Sequence, residues 1–332
     1  MSKYRHALPQ LQEELVLTDG GIETTLIFQD GATLPFFASF VLLQDESGTA
    51  LLRRYFERYA ELARGEGLDL VLETPTWRAN PDWAAKLGYD AEALAGVNRR
   101  SVDLLLGIRR SFESERTRVV ISGNLGPRGD GYDPGRRMSV AEARGYHAAQ
   151  IETFAATDAD MVAALTMNYV QEAVGIVRAA RAAAMPVAIS FTVETDGRLP
   201  SGATLEEAIR ATDEASDGYP AYYMINCAHP THLEAVLARP GEWRDRIRGL
   251  RANASRRSHK ELDESPDLDA GNPEELGREY RELRAVLRNL CVVGGCCGTD
   301  HRHVGAIARA MQAQQRRLAA TRRPPPPPTM CV

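Results

Sequence analysis

The sequence predicts a single (β/α)8 barrel. Three observations carry this reading: eight apolar segments of strand length, eight longer segments of helical period alternating with them, and glycine-rich or polar residues gathered where the strand segments end. The strand segments are Leu15 to Asp19, Leu68 to Thr74, Arg118 to Gly123, Met161 to Thr166, Pro186 to Thr192, Ala221 to Cys227, Ile247 to Ala252 and Leu290 to Gly295. Helices are expected at Thr49 to Gly65, Pro81 to Ser111 with a break, Ser139 to Thr157, Val170 to Ala184, Thr204 to Asp217, Thr231 to Arg239, Pro273 to Arg288 and His303 to Ala320. Ser139 with Glu142 and Thr204 with Glu207 form capping-box patterns, and Asn272-Pro273 supplies an N-cap followed by an N1 proline.

The 332 residues, 44% hydrophobic and 26% charged, allow a large buried core and place the chain among soluble globular proteins. A formal charge of -5 gives no broad basic surface, which argues against nucleic acid or anionic membrane as partner and for a small-molecule substrate. The N-terminus lacks a secretory h-region and no segment approaches the length of a bilayer span, so a cytoplasmic location is expected; the oligomeric state is left open. The barrel is expected over residues 1–320 and a disordered proline-rich tail over 321–332, where five prolines run together. The polar stretch from Asn253 to Asn272 is expected to be an irregular lid over the mouth, since loops of that length are usually functional or mobile.

A barrel of this kind concentrates its chemistry in the loops after the strands. Three of the five cysteines fall there: Cys227 after the sixth strand, Cys296 and Cys297 after the eighth. An odd cysteine count is a poor fit to a disulfide framework, which leaves reduced thiols or metal ligands. Three thiolates suit a catalytic zinc, which takes three protein ligands and keeps a fourth position open. Adjacent strand residues point to opposite faces, so Cys296 and Cys297 share a metal only if Gly294, Gly295 and Gly298 let the backbone bend. The alternatives are a vicinal disulfide or buried small hydrophobes. Cys291, Tyr222 and Tyr223 are expected in the core and Cys331 in the tail, while His229, His301 and His303 are lesser metal-ligand candidates. Trp77, after the second strand, offers an aromatic face that suits a cationic group or packs against the second helix.

The segments LTDGGIETTL at 17–26, LET at 72–74, NCAHP at 226–230 and VVGGCCGTDHRHV at 292–304 resemble the homocysteine S-methyltransferase family, over nearly the whole chain. The resemblance implies that Cys227, Cys296 and Cys297 bind zinc and that the acceptor thiol enters as a further ligand. It also implies substrate contacts from Asp19, Gly20 and Gly21, from Glu73 and Thr74, and from Asn226 beside the first cysteine. The expected activity is methyl transfer from a sulfonium or ammonium donor to homocysteine or a similar small thiol, as in the methionine-forming members. The rival readings are methylation or demethylation of a different thiol or selenol at the same site, and a non-catalytic barrel whose zinc is closed by four protein ligands. One departure stands out. Where methionine-forming relatives carry a glutamate after the fourth strand, this chain has Leu165, so the preferred acceptor is expected to be other than homocysteine or to be held differently, unless Glu194 or Glu73 supplies the missing charge.

Overall fold

The computed structural model describes residues 2–12, 14–265 and 267–321, with side chains except at 263 and 317–321; all but Thr321 of the expected tail lies outside the described residues. Eight parallel strands close into one barrel in chain order. They are β1 (Val16–Leu17), β2 (Asp69–Glu73), β3 (Val119–Leu125), β4 (Met161–Met167), β5 (Val187–Phe191), β6 (Tyr222–Asn226), β7 (Ile247–Ala252) and β8 (Val292–Gly295). Closure is made by the shortest strand, with Val16 opposite Asp69 on one side and Val292 on the other. The α-helices among the described residues are α1 (Ile22–Phe28), α2 (Glu46–Glu66), α3 (Pro81–Lys86), α4 (Ala91–Phe112), α5 (Val140–Ala155), α6 (Val170–Ala182), α7 (Leu205–Glu214), α8 (Glu234–Leu237), α9 (His259–Asp263), α10 (Pro273–Val286) and α11 (His301–Thr321).

Local chemistry explains the helix starts. Ser139 and Thr204 each form the complete capping box expected of them, and Asn272 Oδ1 accepts from the backbone of Glu274 and Glu275. Asp45 caps α2 by accepting from Gly48 N at 2.8 Å, so that helix begins earlier than the apolar period suggests. The expected helix from Thr231 to Arg239 is reduced to a 3-10 turn and the single turn α8, because Pro240 and Gly241 cut it short.

The strands divide two cores by alternation. Val16, Val71, Val120, Ala163, Ala188, Tyr222, Met224 and Val292 fill the barrel interior. Their neighbours Leu17, Leu72, Ile121, Ala164, Ile189, Tyr223, Ile225 and Val293 face the helices. Continuing the same alternation toward the strand ends puts Glu73, Leu165, Asn226 and Arg251 in the top interior layer, which is the floor of the mouth. Leu165 packs with the interior core and is 6% exposed.

Candidate active site and metal-binding cluster

The three sulfurs of Cys227, Cys296 and Cys297 lie within 4.8 Å of one another, and no fourth His, Cys, Asp or Glu joins the group among the described residues. Two backbone features bring them together. β8 ends at Gly295, so both cysteines of the pair sit in a turn that Gly298 closes with φ 78°, a conformation that suits glycine. Cys227 itself has φ 55°, a left-handed state that costs a non-glycine residue roughly 1–3 kcal/mol and that clusters at functional sites. Its amide is fixed by Arg251 O at 3.0 Å and its carbonyl by Asn253 Nδ2 at 3.1 Å.

The structure joins Cys227 and Cys296 in a disulfide, with Cα atoms 5.4 Å apart, which corrects the expectation that these cysteines stay out of disulfides. The physical reason is the convergence itself: strand ends 69 residues apart in sequence bring sulfurs into the same small volume, within bonding reach as well as metal-ligand reach. Metal binding by all three thiolates requires that bond to be reduced. Cys291 is a buried core residue as expected, and Cys331 lies outside the described residues.

The histidine candidates are engaged elsewhere. His229 bonds Thr231 Oγ1 at 2.9 Å and lies 3.3 Å from Glu279. His303 bonds Asp300 and the Ala270 carbonyl, and His301 is exposed at the start of α11.

Around the sulfurs the loops interlock. Gly20 and Gly21 pack against the β8 loop, where Gly21 N donates to Thr299 O at 3.0 Å. A Cβ on Gly21 would collide with the Cys296 carbonyl, and one on Gly20 would come 2.7 Å from the Tyr59 hydroxyl. Gly298 N donates to Thr24 Oγ1, tying the turn to the first turn of α1.

Asp19 and Glu73, both expected to touch substrate, share one buried cation. Arg251 donates to Asp19 Oδ1 at 2.5 Å, to Glu73 Oε2, to Gly20 O and to Gly295 O, and is 5% exposed. Tyr55 adds a hydrogen bond to Asp19 at 3.0 Å. Burial raises both carboxyl groups, Glu73 to about 7, against the opposing pull of Arg251. The sequence reading passed over Arg251. Its available signal was weak, since the strand carries two arginines, Arg248 and Arg251, among apolar residues and a glycine.

The remaining candidates are also partly committed. Thr74 Oγ1 accepts from Asn124 N and lies 2.6 Å from Thr76 Oγ1. Asn226 accepts from Thr166 N and Ser190 Oγ and donates to Thr166 Oγ1, bracing Thr166 at φ 63°. Trp77 donates to Leu165 O at 3.3 Å, and Arg78 stacks 4.1 Å from its ring centroid. Glu194 follows β5, partly buried, and burial raises its carboxyl group.

The polar stretch after β7 lies at the same end of the barrel, because Ala254 N donates to Cys297 O at 3.0 Å. It is less irregular than expected: α9 forms within it behind a Ser258 capping box, and His259 stacks on Tyr132 at 3.7 Å.

Comparison with known proteins agrees with this geometry. A family model described as homocysteine S-methyltransferase matches residues 16–311. The oxidized form of the homocysteine methyltransferase MmuM from Escherichia coli superposes with a TM-score of 0.71 at 20% identity, covering 91% of this chain and 98% of that one. The metallated form of the same enzyme gives 0.70 at 19% identity, covering 93% and 99%. These likenesses show a common fold. No curated protein sequence matches the chain.

Proposed function

The chain belongs to the homocysteine S-methyltransferase family and is a methyltransferase, and from that premise we propose a zinc-dependent transfer of methyl from a sulfonium or ammonium donor to homocysteine or a similar small thiol. The observation that carries the zinc assignment is the three-sulfur cluster at the barrel mouth. Three ligands and no fourth among the described residues favour an open catalytic site over a closed structural one.

Once reduced, Cys227, Cys296 and Cys297 are the residues that would hold the metal. When bound, zinc supplies a Lewis acid that keeps a coordinating thiol deprotonated near neutral pH. The chain's own residues do the positioning. Gly20 and Gly21 permit the β1 loop to approach the cysteine turn closely, and Arg251 fixes that turn through Gly295 O while pairing with both Asp19 and Glu73. Trp77 is proposed as a wall for a cationic donor; one of its faces is taken by Arg78, so the donor would meet the rest of the ring. Methyl transfer of this type depends on in-line approach and exclusion of water, which the stretch over 253–272 would provide from its place beside Cys297. The site's partners are then two small molecules, in keeping with a cytoplasmic enzyme of methionine formation. No helix among the described residues is long and apolar enough to cross a membrane.

The test is a matrix of S-methylmethionine and betaine against small thiols, with reduced, zinc-loaded protein and mass detection of the methylated product. Turnover of one pair that is lost in Cys297→Ser supports the proposal. Zinc-loaded protein that methylates no thiol with either donor contradicts it.

A further inference from the structure

Two carboxylates already share Arg251 at the mouth, more negative charge than one guanidinium balances. Asp19 and Glu73 are both paired with Arg251, but a third carboxylate, Glu23, stands beside them on the first turn of α1. It is partly buried, it interacts electrostatically with both Asp19 and Arg251, and it pairs with no cation among the described residues. Ser39 Oγ lies 2.9 Å from Glu23 Oε1, which fixes the carboxylate without neutralising it. Arg251 is already bonded to two carboxylates and two carbonyls. Arg78, the other cation within electrostatic range, is held between the rings of Trp77 and Trp83 at 4.1 and 4.0 Å and donates to Gly129 O.

Burial disfavours the charged form of such a group, and Glu23 is raised for this reason. A partly buried carboxylate held by a hydroxyl and no cation is costly to ionise, and its charged form becomes favourable when a cation arrives to pair with it. Glu23 also sits next to the metal-binding turn: Gly21 abuts Cys296, and Thr24 accepts from Gly298 N. Glu73 is consumed by Arg251, and β4 presents Leu165.

The structure assigns Glu23 as the specificity-determining anion that receives the organic cation of a substrate, either the ammonium of the acceptor or the onium of the donor. This rests on the thiol methyltransferase reading above. No covalent step is involved; the pairing orients one substrate toward the sulfur cluster. Loss of a charge-assisted hydrogen bond of this type weakens binding about tenfold to a hundredfold.

The experiment is calorimetric titration of the reduced, zinc-loaded full chain and of Glu23→Gln, with zinc content and thermal midpoint checked for each. The probes are homocysteine, 4-mercaptobutanoate, which has the same chain and carboxylate but no amine, and S-methylmethionine. If the acceptor supplies the cation, Glu23→Gln weakens homocysteine at least tenfold and leaves 4-mercaptobutanoate within twofold. If the donor supplies it, both thiols stay within twofold and S-methylmethionine weakens at least tenfold. All three within twofold overturns the assignment. Should Glu23→Gln lose the wild-type midpoint, Glu23→Asp takes its place: at least a threefold loss for homocysteine or S-methylmethionine supports the assignment, and no change overturns it. Wild-type protein that holds zinc but binds neither thiol contradicts the parent reading, and the assignment falls with it.

Discussion

Arg251 Nη2 lies 2.5 Å from Asp19 Oδ1, so the end of β7 and the loop after β1 are joined across the mouth by a buried ion pair. The same guanidinium reaches Glu73 from β2, and the three side chains are each nearly inaccessible. Removing one partner of such a group leaves charge uncompensated in a poorly hydrated place, which costs about 3–5 kcal/mol. Arg251→Met should lower unfolding stability by that amount in urea titration at neutral pH. Glu73→Gln, which keeps a hydrogen-bond acceptor and removes a carboxyl group already raised to about 7, should cost far less. Equal losses in the two variants would show that the triad is not organised around Arg251.

Replacing Cys227, Cys296 or Cys297 singly by Ser should abolish most zinc retention after dialysis and all methyl transfer. The barrel should remain folded, because its two apolar cores lie below the mouth and on its outer wall and contain none of these three residues. Far-ultraviolet circular dichroism and metal analysis on the same samples check both halves. Undiminished zinc in all three variants would remove the cysteines from the ligand set.

Gly21→Ala tests the packing of the β1 loop on the cysteine turn. The added methyl would overlap the Cys296 carbonyl, a backbone atom with no side-chain freedom to yield. A loss of activity of tenfold or more is expected with secondary structure retained. Wild-type turnover would mean that the two loops can separate freely. Gly65, in α2 with open space around it and no positive φ, serves as the control position for alanine.

The alternation of strand and helix was enough to find all eight strands, and the strand ends were enough to find the cysteine cluster, because both follow from local pattern and barrel periodicity. The seven-residue helix α1 was missed since it offers too little of a helical period beyond the glycine turn. Arg251 and Glu23 were missed for a different reason. A charged residue in or beside a short element reads as solvated until the closed register turns Arg251 inward, and until its pairing with Asp19 and Glu73 leaves Glu23 without a cation. The disulfide between Cys227 and Cys296 was likewise illegible, because it depends on a residue at φ 55° and a contact between distant strand ends.

His259 links the stretch over the mouth to the barrel by stacking on Tyr132, and it is 7% exposed. Burial lowers it to about 4 from an ordinary value of 6.5. A histidine lowered on folding stabilises the fold fully above 6.5, and that contribution is lost as pH falls toward 4. Protection factors in α9, taken relative to the intrinsic exchange rate at each pH, should therefore fall across that interval while the barrel strands stay protected, and His259→Phe should remove much of the dependence. Protection in α9 that is unchanged between pH 6.5 and 4 in the wild type would show that His259 does not hold the segment down.

The central claim is that Cys227, Cys296 and Cys297 form an open zinc site that accepts a substrate thiol. Zinc-edge X-ray absorption on the reduced, zinc-loaded protein tests it directly. Three sulfur ligands and one lighter atom are expected without substrate, changing to four sulfurs when homocysteine or a related thiol is added. Coordination that already contains four protein ligands, or that keeps three sulfurs at saturating thiol, would contradict the account.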